Sequence, residues 1–155
     1  MDIRDFWIDN GFMNIQRNQE LFDELRAFNL PLGEYLVIGS GPLGIRMLRE
    51  IKDVDLKVTD KLWAELAHDH DLFYDDCQVM KLRLSDNIEA MCEASFEGSS
   101  EGSPKIEQQI REAELIDELP FENIQTTLYF KKKSSRVKDA RDVALIEKWL
   151  EDNKA

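Results

Sequence analysis

A chain of 155 residues is the size of one domain and long enough to bury a real core, and its 43% apolar content excludes wholesale disorder. Its formal charge of −12 repels phosphate backbones, which excludes broad, non-specific nucleic-acid binding and requires any nucleotide contact to be local. The two cysteines, Cys77 and Cys92, lie far apart without metal-ligand or redox spacing, as expected of free thiols in a reducing compartment.

The start, Met1-Asp2-Ile3-Arg4-Asp5, lacks the basic residues and apolar run of a secretory signal, and no stretch has membrane-spanning length. A cytoplasmic location without membrane contact is expected. Residues 1–30 read as a helical extension. In it Leu21, Phe22, Leu25 and Phe28 recur at helical spacing until Pro31 and Gly33 stop the helix. A buried strand, Tyr35-Leu36-Val37-Ile38, follows and ends in Gly39-Ser40-Gly41-Pro42. Pro42 suits the first turn of a helix reaching about Ile51.

Residues 53–59 alternate, which places Val54, Leu56 and Val58 on one face and Asp53, Asp55, Lys57 and Thr59 on a polar one. Residues 61–67 read as helix. Residues 79–84 and 88–94 read as a hairpin around Ser85-Asp86-Asn87. The small polar composition of residues 95–104 suits a flexible loop, and residues 105–155 read as a helical C-terminal part with Val143, Ile146 and Leu150 facing inward. The fold class expected is α+β, a small mixed sheet flanked by helices, in a single domain.

Gly39, Gly41 and Gly44 match the G-x-G-x-x-G pattern of dinucleotide sites, with Asp60 near the place of a ribose-binding acid. The second strand of such a fold is buried on both faces, however, and two unpaired carboxylates buried there would cost several kcal/mol. Asp53 and Asp55 instead project from one face of their strand, close enough to share one or two divalent cations. Oxygen donors of this kind favour magnesium or manganese. The Gly39-Ser40 turn supplies backbone N–H groups and a hydroxyl for phosphates. The plainer alternative makes the two aspartates a solvated strand face.

Ile38-Gly39-Ser40, then twelve residues, then Asp53-Val54-Asp55 resembles the hydrophobic-G-[GS] to D-h-[DE] pattern of the DNA polymerase beta-like nucleotidyltransferase superfamily. Ile88-Glu89-Ala90 fits the place of that superfamily's third carboxylate. Phe130-Lys131-Lys132 and residues 136–143 look like the C-terminal helices of its small bacterial members, so the resemblance covers about residues 33–150. It implies a nucleotidyltransferase-type fold with Asp53, Asp55 and Glu89 as catalytic metal ligands; the nucleotide-binding residues expected beside them are Gly39 and Ser40 of the turn, Arg49 after it and Lys132 of the basic run. The implied reaction moves a nucleoside monophosphate from a nucleoside triphosphate to an acceptor, either an RNA end, a protein hydroxyl or a small molecule. The superfamily also includes inactive relatives and toxin or antitoxin components. A non-catalytic binding module is therefore the alternative.

Lys131, Lys132, Lys133, Arg136, Lys138 and Arg141 form a basic run that either contacts the triphosphate or is balanced by Asp139 and Asp142. Arg46 and Arg49 either reach phosphate or are structural. His68-Asp69-His70-Asp71 reads as a solvated helix end rather than a metal site, because residues two apart on a helix do not face each other.

Overall fold

The computed structural model describes residues 15–96 and 104–154; residues 1–14 of the expected N-terminal extension and 97–103 of the expected loop lie outside them. Helix α1 (Ile15–Ala27) forms where the apolar spacing predicts it, and Leu21, Phe22 and Leu25 are buried in the main core. The helix is therefore a structural layer of the domain rather than an appendage.

Strand β1 (Tyr35–Ile38) leads into α2 (Gly41–Ile45) and then β2 (Val54–Val58). Helix α2 ends six residues short of the expected Ile51. Met47 takes a left-handed φ of +58° and breaks the helical run. The backbone groups freed by this break are taken up by Asn18 of α1, which is 2% exposed. Its Nδ2 donates to the carbonyls of Gly44 (3.3 Å) and Arg49 (2.9 Å), and its Oδ1 accepts from Ile51 N (2.9 Å).

After β2, α3 (Asp60–Leu66) is capped by Thr59, whose Oγ1 accepts from Leu62 N. Then come β3 (Asp71–Tyr74), β4 (Met80–Ser85), β5 (Ile88–Met91) and a 3-10 turn (Glu93–Phe96). Helix α4 (Ile106–Arg111), β6 (Glu114–Ile116), β7 (Leu119–Phe121), α5 (Ile124–Lys133) and α6 (Val137–Asp152) complete the described chain. The segment expected to be wholly helical after residue 105 thus contributes two strands.

The seven strands form one mixed sheet in the order β3-β4-β5-β2-β1-β7-β6, so the fold is α+β with helices flanking a mixed sheet. Strands β2 and β5 run parallel, as do β1 and β7, and the other neighbouring pairs are antiparallel. The antiparallel pairing of β1 with β2 separates this β1-α2-β2 unit from the parallel strand-helix-strand unit of dinucleotide sites.

Its glycines have packing reasons instead. A Cβ on Gly41 would lie 2.2 Å from Val37 Cγ1, and one on Gly44 would lie 2.9 Å from Ile51 Cδ1. Gly41→Ala is expected to cost about 1–3 kcal/mol through overpacking, measurable by urea denaturation.

The main core joins α1 to the sheet through Phe22, Val37, Leu56 and Phe121, with the Phe22 and Phe121 rings edge to face at 5.4 Å. A second cluster unites Leu43 and Leu48 with Ile124 and Leu128 of α5 and Ile146 of α6.

The polar face expected of β2 is only partly solvated. Lys57 is 7% exposed, its Nζ donates to Gln109 Oε1 (3.0 Å), and it lies over the rings of Phe96 (4.7 Å) and Phe130 (4.8 Å). Chain segments distant in sequence cover this end of the strand, which strand alternation does not reveal.

Candidate functional site

The site is built where β1 ends. Gly39 has φ +68°, a left-handed conformation that glycine adopts at no steric cost, and it turns the chain sharply into Ser40 and α2. The Ser40 carbonyl accepts from Leu43 N (3.1 Å) and Gly44 N (2.9 Å), while its hydroxyl makes no capping bond. An ideal Cβ on Gly39 would stand 3.5 Å from Asp55 Oδ2. The turn backbone and the carboxylate therefore adjoin.

Sheet register carries a polar row outward from that point. Asp55 pairs with Ile38 of β1 on one side and Glu89 of β5 on the other, Glu89 pairs with Arg83 of β4, and Arg83 pairs with Asp71 of β3. Register partners share a face of the sheet, so Asp55 and Glu89 are lateral neighbours. Asp53 lies just before β2 and is exposed. Burial pushes the Asp55 carboxyl up to about 6. The Asp53 and Glu89 charges push in the same direction, and Lys81 and Lys138 oppose them. Asp55 thus sits in the field of charges of both signs.

Glu89 is held from β4. Lys81 Nζ lies 3.2 Å from Glu89 Oε2 and 3.1 Å from Asp75 Oδ2. Asp75 is itself fixed, because its Oδ1 accepts from Cys77 N (2.8 Å) and Val79 N (2.9 Å). These bonds hold the Asp75 carboxyl below the usual carboxylate range.

Lys81 was not singled out in the sequence. The signal was the hairpin itself, since alternation along β4 puts Lys81 and Arg83 on the face that Glu89 occupies across the turn. Among the described residues no three His, Cys, Asp or Glu side chains are disposed to hold a metal ion together. Two carboxylates, Asp53 and Asp55, remain available. That donor set suits magnesium, which takes one or two carboxylates and completes its shell with water and substrate phosphates.

The basic residues divide sharply. Arg49, expected at the nucleotide, is committed to Asp142 in a two-pronged pair, with Nε to Oδ1 at 2.7 Å and Nη2 to Oδ2 at 2.9 Å. Lys131 reaches Asp142 (2.9 Å) and Asp139 (3.2 Å), and Arg136 Nε bonds Asp139 Oδ2 at 2.7 Å. Burial pushes the Asp139 carboxyl up, but bonds from Ser134, Arg136 and Lys131 outweigh it and bring it down to about 2.

This charge network ties the segment after α2 to α5 and α6. Lys132, the other expected nucleotide ligand, pairs with Glu147 across α5 and α6 at 3.3 Å, with both side chains more than half exposed. Arg46 lies over the Trp149 ring (4.8 Å) and bonds Glu114. Lys138, in the first turn of α6, is exposed, and its charge weakly opposes the upward shift of the Asp55 carboxyl.

His68, Asp69 and Asp71 are exposed, and the His70 ring meets Phe28 edge to face at 6.1 Å. Cys77 is exposed and Cys92 buried, both as free thiols. No helix among the described residues is long and apolar enough to cross a membrane. No family model matches the chain, and no curated protein matches it.

Proposed function

We propose that the chain has a nucleotidyltransferase-type fold and is a metal-dependent nucleotidyltransferase that moves a nucleoside monophosphate from a nucleoside triphosphate to an acceptor hydroxyl. The observation that carries the reading is the contact of the Gly39 turn with Asp55, which stands in register with Glu89 and within the field of Asp53 and Lys138. A tight glycine turn of the kind that suits phosphate and a half-buried carboxylate with acidic neighbours thus lie at one corner of the sheet, which supports this reading. A solvated strand face accounts for neither the burial of Asp55 nor its approach to the turn.

In this reading Asp53 and Asp55 hold a magnesium or manganese ion, and the backbone N–H groups at Gly39 and Ser40 donate to the β- and γ-phosphates. Such an ion, when bound, would supply neutralisation of the triphosphate and activation of the acceptor hydroxyl. Lys138 adds a counter-charge at the phosphates, and the half-buried wall around Asp55 strengthens each of these interactions. The acceptor oxygen forms a bond to the α-phosphorus as the α–β phosphoanhydride breaks. Pyrophosphate leaves, and the acceptor proton passes to solvent. A protein hydroxyl or small molecule suits the acidic surface better than an RNA end.

The pH dependence follows from Asp55. Its carboxyl is protonated below about 6 and cannot then hold a cation, so turnover is expected to rise as pH increases through about 6. Raising magnesium should move that midpoint downward, because the ion and the proton compete for the same oxygens. A rate profile at two magnesium concentrations checks this.

Incubation with α-labelled nucleoside triphosphates, magnesium and a cell extract tests the function itself. A labelled acceptor that disappears in the Asp53→Ala, Asp55→Ala double variant is expected, and unchanged labelling by that variant would sink the assignment. Nucleotide binding without any labelled product would instead favour the inactive binding module.

A further inference from the structure

Resting on that reading, we propose that Lys81 is a built-in cation of the carboxylate site, so that Glu89 is engaged by the protein's own ammonium and the site takes one divalent ion, at Asp53 and Asp55, rather than two. Four observations on β4 and its neighbours support it. The ammonium is bonded to Glu89 at 3.2 Å, and strand register sets Lys81 of β4 beyond the Asp55–Glu89 row, at the end opposite Asp53. It is anchored from behind by Asp75 at 3.1 Å. That anchor is itself immobilised by two backbone N–H groups in the turn after β3. Finally, the lysine side chain is only 15% exposed, so the charge is fixed in place rather than waving from the surface.

A positive charge held this way does for Glu89 what a second metal ion would otherwise do. Paired metals in such sites lie about 3.5–4 Å apart. An ammonium 3.2 Å from Glu89 Oε2 takes up one of that carboxylate's oxygens, and a divalent cation approaching the other would meet direct repulsion from it. Lys81 is a positioning residue in this scheme. It touches Glu89 and Asp75 rather than the nucleotide, and it determines how many ions the triphosphate must bring.

Electron paramagnetic resonance of the full chain with manganese and a non-hydrolysable nucleoside triphosphate analogue reads the number directly. The wild-type protein is expected to give an isolated protein-bound manganese signal, and Lys81→Arg should keep it. Lys81→Ala, or Lys81→Met, which retains the apolar stem, should give the signal of a spin-coupled pair at saturating manganese. A coupled pair in the wild-type protein would overturn the role of Lys81 and leave the nucleotidyltransferase reading standing. A folded Lys81 variant that still binds one isolated ion would do the same. No protein-bound manganese in the wild type would overturn both.

Discussion

Asp55→Asn is expected to abolish nucleotidyl transfer and at the same time to make the protein more stable. A metal clamp on a transferring phosphoryl group supplies several kcal/mol of charge stabilisation, so loss of one of its two carboxylates should lower turnover by roughly a thousandfold or more.

The stability change has the opposite sign. The Asp55 carboxyl is raised from 3.8 to about 6 in the folded protein, first by burial and then by Asp53. Folding is therefore favoured below about pH 4, where the group is protonated in both states, and that advantage is lost as pH rises through about 6. At neutral pH the ionised group opposes folding. A two-unit shift corresponds to about 3 kcal/mol at most, and discounting for partial exposure leaves about 1–2 kcal/mol. The asparagine variant should then melt roughly 3–6 °C higher at pH 7. Differential scanning calorimetry and the transfer assay on one preparation check both halves. A lower melting temperature for Asp55→Asn would show that the carboxylate is structural.

Asp142→Ala should have the largest effect on folding. The Asp142 side chain is 1% exposed and receives both prongs of Arg49 together with Lys131, so its loss leaves two cations facing each other without their shared anion. Breaking a buried ion pair from one side costs about 3–5 kcal/mol, which for a domain of this size lowers the melting temperature by roughly 8–15 °C.

Acid should act along the same route. Asp142 and Asp139 are held below their ordinary range, so the stability they contribute is present above about pH 4 and is lost at lower pH, the Asp139 share as pH falls through about 2. Urea midpoints of wild-type and Asp142→Ala protein at pH 7 and pH 3 measure both. An unchanged midpoint at pH 7 would show that the network contributes nothing to folding.

Both variants turn on how far local pattern reaches. Strand β1, the alternation of β2 and the β4–β5 hairpin lie where apolar spacing and turn residues place them, because each is specified by side chains within a few positions of one another. The β6–β7 hairpin gave no such signal. Its two-residue turn puts Asp117 (φ +49°) and Glu118 (φ +69°) in left-handed conformations that normally call for Asn or Gly, and it is braced by Arg26 of α1 donating to the Asp117 carbonyl. Pro120 further disguises β7 as a loop. Strand β3 is hidden in the same way, as an edge strand with Leu72 and Tyr74 exposed after a charged stretch.

The site divides along similar lines. Gly39, Ser40, Asp53 and Asp55 follow from one short segment, and register then sets Glu89 beside Asp55. Arg49 and Lys132 could not be judged that way. What occupies them is Asp142, 93 residues further along, in one case and Glu147 on the next helix in the other. Lys81 emerges only when the hairpin sets it beside Glu89, and Lys138 only through its charge on Asp55.

The assignment of the Gly39 turn to a triphosphate is tested most directly by amide chemical shifts. A titration with magnesium and a non-hydrolysable nucleoside triphosphate analogue should move the amides of Gly39, Ser40 and the start of β2, with a smaller response at Lys138. Asp55→Asn should suppress those shifts while leaving the rest of the spectrum intact. Saturable shifts confined to another part of the molecule, or shifts at Gly39 and Ser40 that persist undiminished in Asp55→Asn, would contradict it.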